Sequence, residues 1–150
     1  MKVDLEVVGA DKAEGLLTKI ADQAADLKPA LNAAARIMRD GLRQQVASKG
    51  QYLGAPWAPL AASTLERKKR QGLPAKQLYA KGIMLTSLTG GNSAHVFKIT
   101  KTMARVGTKD YLVKFHHAGT SKGVPSRKLL GIHKEDRAKI FGVVREHLLT

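Results

Sequence analysis

The chain has 150 residues, 43% of them hydrophobic but only 5% aromatic, and no cysteine. That length suits a single domain over residues 1–150 with an aliphatic core, and the missing cysteines exclude disulfides, thiolate catalysis and cysteine-bound zinc. The net charge of +14 is uneven: residues 1–50 hold 8 Lys/Arg against 7 Asp/Glu (+1) and residues 51–150 hold 18 against 5 (+13), a surplus that favours nucleic acid, an anionic membrane or an acidic protein surface.

Residues 2–8, KVDLEVV, alternate polar and apolar. Val3, Leu5 and Val7 share one face, which reads as a strand. The N-terminus has no apolar h-region, and no apolar run approaches the roughly 20 residues of a membrane-spanning helix. Neither a signal peptide nor a membrane contact is expected. Asp11, with Glu14 three positions on, suits a helix cap. The helix that follows carries Leu16, Leu17, Ile20, Ala24 and Leu27 on one side. Pro29 fits the first turn of a second helix. There Leu31, Ala35, Met38, Leu42 and Val46 recur every three or four residues, and Ser48-Lys49-Gly50 ends the run.

Residues 50–62, GQYLGAPWAPLAA, read as a loop holding the single tryptophan, Trp57. Ser63 or Thr64 caps a short basic helix, TLERKKRQ, that stops at Gly72. Ile83–Leu88 fits helix or strand. After the turn signal Gly90-Gly91-Asn92, residues 95–99 and 102–106 read as a β-hairpin joined near Lys101. Tyr111–Phe115 again fits either element. The stretch KFHHAGTSKGVPSRKLLGI, residues 114–132, is a loop leading to a last helix from about Glu135 to Leu149. Ala138, Phe141, Val144 and Leu148 form its stripe. The layout is α+β: two N-terminal helices and a C-terminal helix packed on a small, mostly antiparallel sheet.

The chemistry is sparse. His116 and His117, as neighbours in a strand, would point to opposite faces, and no pair of histidines has the i, i+4 spacing of a helical chelate. There is no Gly-x-Ser-x-Gly elbow and no Gly-rich phosphate loop followed by Lys. No catalytic residue, metal or cofactor is expected, and the chain does not read as an enzyme. The run Arg67-Lys68-Lys69-Arg70 suits phosphates electrostatically or is a solvated helix face.

Several segments form an ordered series: W-A-P-L-x-x-x-T from Trp57 to Thr64, then ERKKRQG. L-Y-A-K-G-I-M-L-T-S-L follows from Leu78 to Leu88, then V-G-T and Y-L-V-K-F-H-H-A-G-T, and P-S-R-K-L-L-G-I before the closing helix. Over about residues 55–148 this series resembles the phage virion-morphogenesis, or tail-completion, family of tailed bacteriophages. Lys81-Gly82 stands where that family usually has Thr-Gly, Leu112 replaces a small residue, and Leu129 replaces a common aromatic.

The resemblance implies a structural virion protein, assembled in the host cytoplasm, at the joint of head and tail. It would complete or terminate the tail or serve in the neck, as a homo-oligomeric ring, expected to be a hexamer. Its partners would be its own copies, tail-tube or tail-terminator proteins and head-closure or neck proteins, with transient contact to passing DNA. Interface candidates are Trp57, Arg67, Lys68, Lys69, Arg70, His116, His117 and Arg127. Trp57 is either a core plug or an interface anchor, Arg127 suits a bidentate contact to a carboxylate or phosphate, and Leu129-Leu130 pack under the terminal helix. The alternative reading is a basic, non-specific nucleic-acid-binding module.

Overall fold

A computed structural model describes residues 9–150. The strand expected over residues 2–8 lies outside the described residues. The first helix, α1, spans Ala10–Ala25. Gly9 occupies its N-cap, so Asp11 falls in the first turn, where a carboxylate suits the helix dipole, and does not cap. Asp26 and Leu27 turn the chain into α2, Lys28–Ala47, with Pro29 in the first turn as expected.

Two faces of α2 are covered. Ala30, Ala34, Gly41 and Gln45 form one buried stripe, at the i, i+4 and i, i+7 spacings of a helix face. Ala35 and Leu42, with half-buried Leu31, Met38 and Val46, line the second. The first stripe meets the terminal helix and the second meets the remaining core.

A single 3-10 turn, Gln51–Leu53, follows α2. Then come α3, Ala62–Arg70, and α4, Ile83–Thr89. Residue 61 is the N-cap of α3, without a side-chain cap, so Ser63 and Thr64 sit inside the helix. Strands β1 (His95–Ile99) and β2 (Ala104–Thr108) form a two-stranded antiparallel sheet, Phe97 opposite Val106 and Lys98 opposite Arg105. The second strand begins two residues later than the sequence suggests, because Thr100 and Met103 close the turn on each other. Helix α5, Leu112–Ala118, resolves the ambiguity at Tyr111–Phe115. Helix α6, Lys134–Leu149, opens on His133, whose ring accepts from the Glu135 amide. The fold is α+β, with helices at both ends of a small antiparallel sheet.

The apolar centre is formed by Trp57, Met84, Leu88, Val113 and Leu129, with Val46, Leu78, Leu85 and Leu130 against it. Leu129 therefore packs among α4, α5 and the Trp57 loop. Helix α6 is joined to α2 by close approach and to the 3-10 turn by a polar contact. A Cβ on Gly41 would stand 2.7 Å from Asp136 Oδ2, so only glycine lets the helices meet there. Buried Asp136 accepts from the Tyr52 hydroxyl at 2.6 Å. Burial, then the Asp136 carboxylate, pushes the Tyr52 pKa up to about 12.

Candidate assembly surface

The sequence singled out eight residues, and the structure divides them into interior and exterior. Trp57 is 6% exposed. Its indole N–H donates to Lys128 O at 3.0 Å and its amide to Lys49 O at 2.7 Å. Gln45 donates to the same Lys128 carbonyl and accepts from the Leu53 amide at 2.9 Å. Arg127 is 5% exposed and donates to Ala58 O at 3.1 Å and Pro59 O at 3.3 Å. Gln77 donates to Trp57 O and Ala58 O at 2.9 and 2.8 Å. Two loops distant in sequence, 57–59 and 127–130, are thus laced together through their backbones. A buried polar group is tolerated when its hydrogen bonds are met.

Trp57 and Arg127 therefore lie in the interior of the subunit, Trp57 in the place of a core plug. The physical reason is loop geometry: the carbonyls of residues 58, 59 and 128 point inward and need donors. Burial pushes the Arg127 guanidinium pKa below its ordinary value.

Lys68 is enclosed in the same way. It is 8% exposed, and its ammonium donates to the carbonyls of Pro74 (3.2 Å), Lys76 (2.6 Å) and Tyr79. It closes the irregular segment 71–80 onto α3. Burial first, and Arg67 second, lower its pKa. Arg67, Lys69 and Arg70 remain exposed on the same helix.

The histidines lie on a helix, not a strand, and they still diverge. His117 Nδ1 accepts from the amides of Leu129 and Leu130 at 3.2 and 3.3 Å. His116 is half-buried and its backbone carbonyl accepts from the Arg127 amide at 2.8 Å. Its pKa is lowered by burial first and by the Arg127 charge second, with Asp110 pulling the other way. Both histidines hold the 114–132 segment in place. Among the described residues no three His, Asp or Glu side chains gather as a metal-binding group would require.

The exterior carries what the sequence reading passed over. Leu16, Leu17, Phe141 and Leu149 are exposed, Leu17 and Phe141 by 66% each. Between α1 and α6 lies a groove of about 320 Å³ lined by Ile20, Phe141, Val144, Arg145, Leu148 and Leu149. At the start of α5, the N-cap Tyr111 and Phe115 are exposed and meet edge to face, with ring centroids 6.2 Å apart. The hairpin presents Lys98, Lys101, Arg105 and Lys109 to solvent. Only two ion pairs, Arg43–Asp40 and Lys139–Asp136, occur among the described residues, so the cationic surplus faces outward. The signal for the apolar flank was present in the stripes Leu16/Leu17/Ile20 and Phe141/Val144/Leu148. A stripe reads as core by default, and spacing alone does not say whether the cover is the same chain or another.

Compared with protein-family models, residues 8–149 match the one described as the phage virion morphogenesis family. Neither the curated proteins nor the solved structures compared contain a match to the chain.

Proposed function

The chain belongs to the phage virion morphogenesis family, and from that premise we propose that it is a component of the head–tail joint, completing or terminating the tail as a homo-oligomeric ring. A structural role in virion assembly follows from the family itself. The finer reading is supported by one observation above all. A strongly cationic subunit leaves large apolar side chains exposed on α1, α6 and α5, and contiguous exposed apolar surface marks a contact with another protein. Because the exposed groups sit on different elements, they suit heterologous contacts, one face of each subunit against a different face of the next, and such contacts close into rings.

Tail symmetry leads us to expect a ring of about six copies. The cations of α3 and the hairpin then face an acidic neighbour in the joint, where charge complementarity speeds and orients docking. A basic passage would instead hold DNA and slow its exit. Arg67, Lys69 and Arg70 are the exposed residues of the basic run, and they keep the nucleic-acid-binding alternative open to test.

The test is the mass of the purified protein by light scattering, alone and with tail tubes, followed by particle imaging. Rings, free or on tube ends, are expected. A monomer that ignores tubes but binds random duplex DNA at physiological salt, and loses that binding when Arg67, Lys69 and Arg70 are replaced, would move the assignment to a nucleic-acid-binding module.

A further inference from the structure

Among the described residues the β1–β2 hairpin is a sheet of two strands. Such a pair is marginal in water until a helix or a third strand completes it. One face packs on α2 and α4, but the long edges are open among the described residues. The pairing parity shows which groups are free. Thr100 donates to Met103 O and Lys109 to Ala94 O, both at 2.8 Å, in the same register as Lys98 opposite Arg105. Hydrogen-bonded pairs alternate along an antiparallel ladder. The amides and carbonyls of Phe97 and Ile99 therefore aim out from β1, and those of Ala104 and Val106 aim out from β2. None of these has a backbone partner among the described residues.

The two faces of the hairpin differ in chemistry. Phe97 lies under Arg39 of α2, 5.2 Å from guanidinium carbon to ring centroid, and shares its face with Ile99 and Val106 by strand alternation. Lys98 and Arg105 stand directly opposite one another on the other face, exposed. Like charges so placed repel, and lysine on an open edge deters indiscriminate pairing. A strand that completes this sheet must be apolar on one face and acidic on the other. Residues 2–8 have that pattern: Val3, Leu5 and Val7 on one side, Asp4 and Glu6 on the other.

The placement of α1 indicates which copy supplies that strand. Helix α1 packs along α6, held at its end by His147, whose Nε2 lies 3.0 Å from Asp26 O. Helix α6 covers the Gly41 stripe of α2, whereas the hairpin covers the Arg39 side. Only Gly9 separates residue 8 from α1, and α1 stands on the α6 flank, across α2 from the hairpin. Leu16 and Leu17, on the helix that carries it, are exposed.

We infer that residues 2–8 of one copy add as a strand to an open edge of the hairpin of the adjacent copy, with Val3, Leu5 and Val7 turned inward and Asp4 and Glu6 against Lys98 and Arg105. The contact is strand addition, in which backbone bonds give affinity and alternate side chains give specificity. It joins one surface to a different one and so propagates from copy to copy around a ring. The inference rests on the homo-oligomer reading above.

The cysteine-free chain permits a direct test. Cysteines are placed in four pairs, Asp4→Cys or Glu6→Cys with Lys98→Cys or Arg105→Cys, and the assembled protein is oxidised, since cross-strand neighbours lie within disulfide reach. Expected is a ladder of covalent dimers and larger species with at least one pair. A second arm reverses the charges. Asp4→Lys/Glu6→Lys is expected to weaken assembly, and adding Lys98→Glu/Arg105→Glu to restore it. Disulfides confined within single chains overturn the inference. So does the absence of any disulfide while light scattering shows intact rings, and that result leaves the ring reading standing. A monomer both alone and on tail tubes removes the ring reading and this contact with it.

Discussion

The centre of the subunit and its α1–α6 flank invert the usual arrangement of polar and apolar groups. At the centre, Trp57, Gln45, Arg127 and Lys68 bring polar atoms inside and satisfy them with backbone carbonyls. At the flank, Leu17 and Phe141 bring large apolar groups outside, where nothing in the described subunit covers them. The centre is complete without help. Its loops, 57–59 and 127–130, have few hydrogen bonds of regular structure and are fixed by side chains instead. In the proposed assembly the flank is finished by another molecule. Stability is thus expected to reside in the centre and assembly in the flank, and single substitutions can separate the two.

The largest effect is expected at Trp57. Trp57→Ala removes the largest side chain of the core and the donor to Lys128 O. It should cost about 4 kcal/mol, a melting temperature lower by about 10 °C for a chain of this size. Gly50→Ala comes next. Gly50 has φ +100°, and a Cβ there would stand 2.5 Å from both Ala55 O and Trp57 Cδ1. Strain and displacement of the Trp57 loop together should cost about 3 kcal/mol. If calorimetry shows either variant melting within a degree of the parent, the centre does not fix these loops. Gln45→Leu should cost about 2 kcal/mol. It leaves the half-buried Leu53 amide without an acceptor, while Lys128 O keeps its bond from Trp57.

The sequence made the helices legible because their apolar residues recur at helical spacing, as in Leu31, Ala35, Met38, Leu42 and Val46. It concealed the face of α2 that meets α6, because Ala30, Ala34 and Gly41 carry little hydropathy and Gln45 carries the wrong sign. Trp57, Arg127 and the basic run were visible as distinctive residues, but their roles were not. Whether an arginine or lysine turns inward depends on carbonyls some 70 residues away, such as Ala58 O for Arg127, or on the course of an irregular segment, such as 74–79 for Lys68. Composition along the chain does not encode either. The exposed flank failed to show for the opposite reason: its stripes look like any other buried stripe.

A smaller effect at the centre is expected from pH. His116 has an enclosed Nδ1 without a hydrogen-bond partner, and burial with the nearby Arg127 charge holds its pKa below the ordinary 6.5. The unfolded chain then binds the proton more readily than the folded one. Stability is full above about pH 6.5 and declines as the pH falls from there toward the depressed value. Melting measured from pH 7.5 to 5.5 should fall more steeply for the parent than for His116→Gln. Equal slopes would mean that His116 does not contribute to the decline.

The smallest effect on stability, and the sharpest division between the two regions, is expected at the flank. Phe141 is 66% exposed on α6 and lines the groove that begins at Ile20. Phe141→Ser removes little buried surface from the isolated subunit, so the melting temperature should move by no more than the equivalent of about 0.5 kcal/mol. In an assembled ring the same ring system would be buried, and aromatic groups at the centre of a contact dominate its affinity. Phe141→Ser, and separately Leu17→Ser, should therefore leave a folded subunit with an unchanged circular-dichroism spectrum that no longer assembles by light scattering. If Phe141→Ser instead unfolds the subunit, the flank belongs to the core and the separation of regions fails. If it folds and assembles as before, the apolar flank is not the contact, and the hairpin edge with its cations is left to carry assembly.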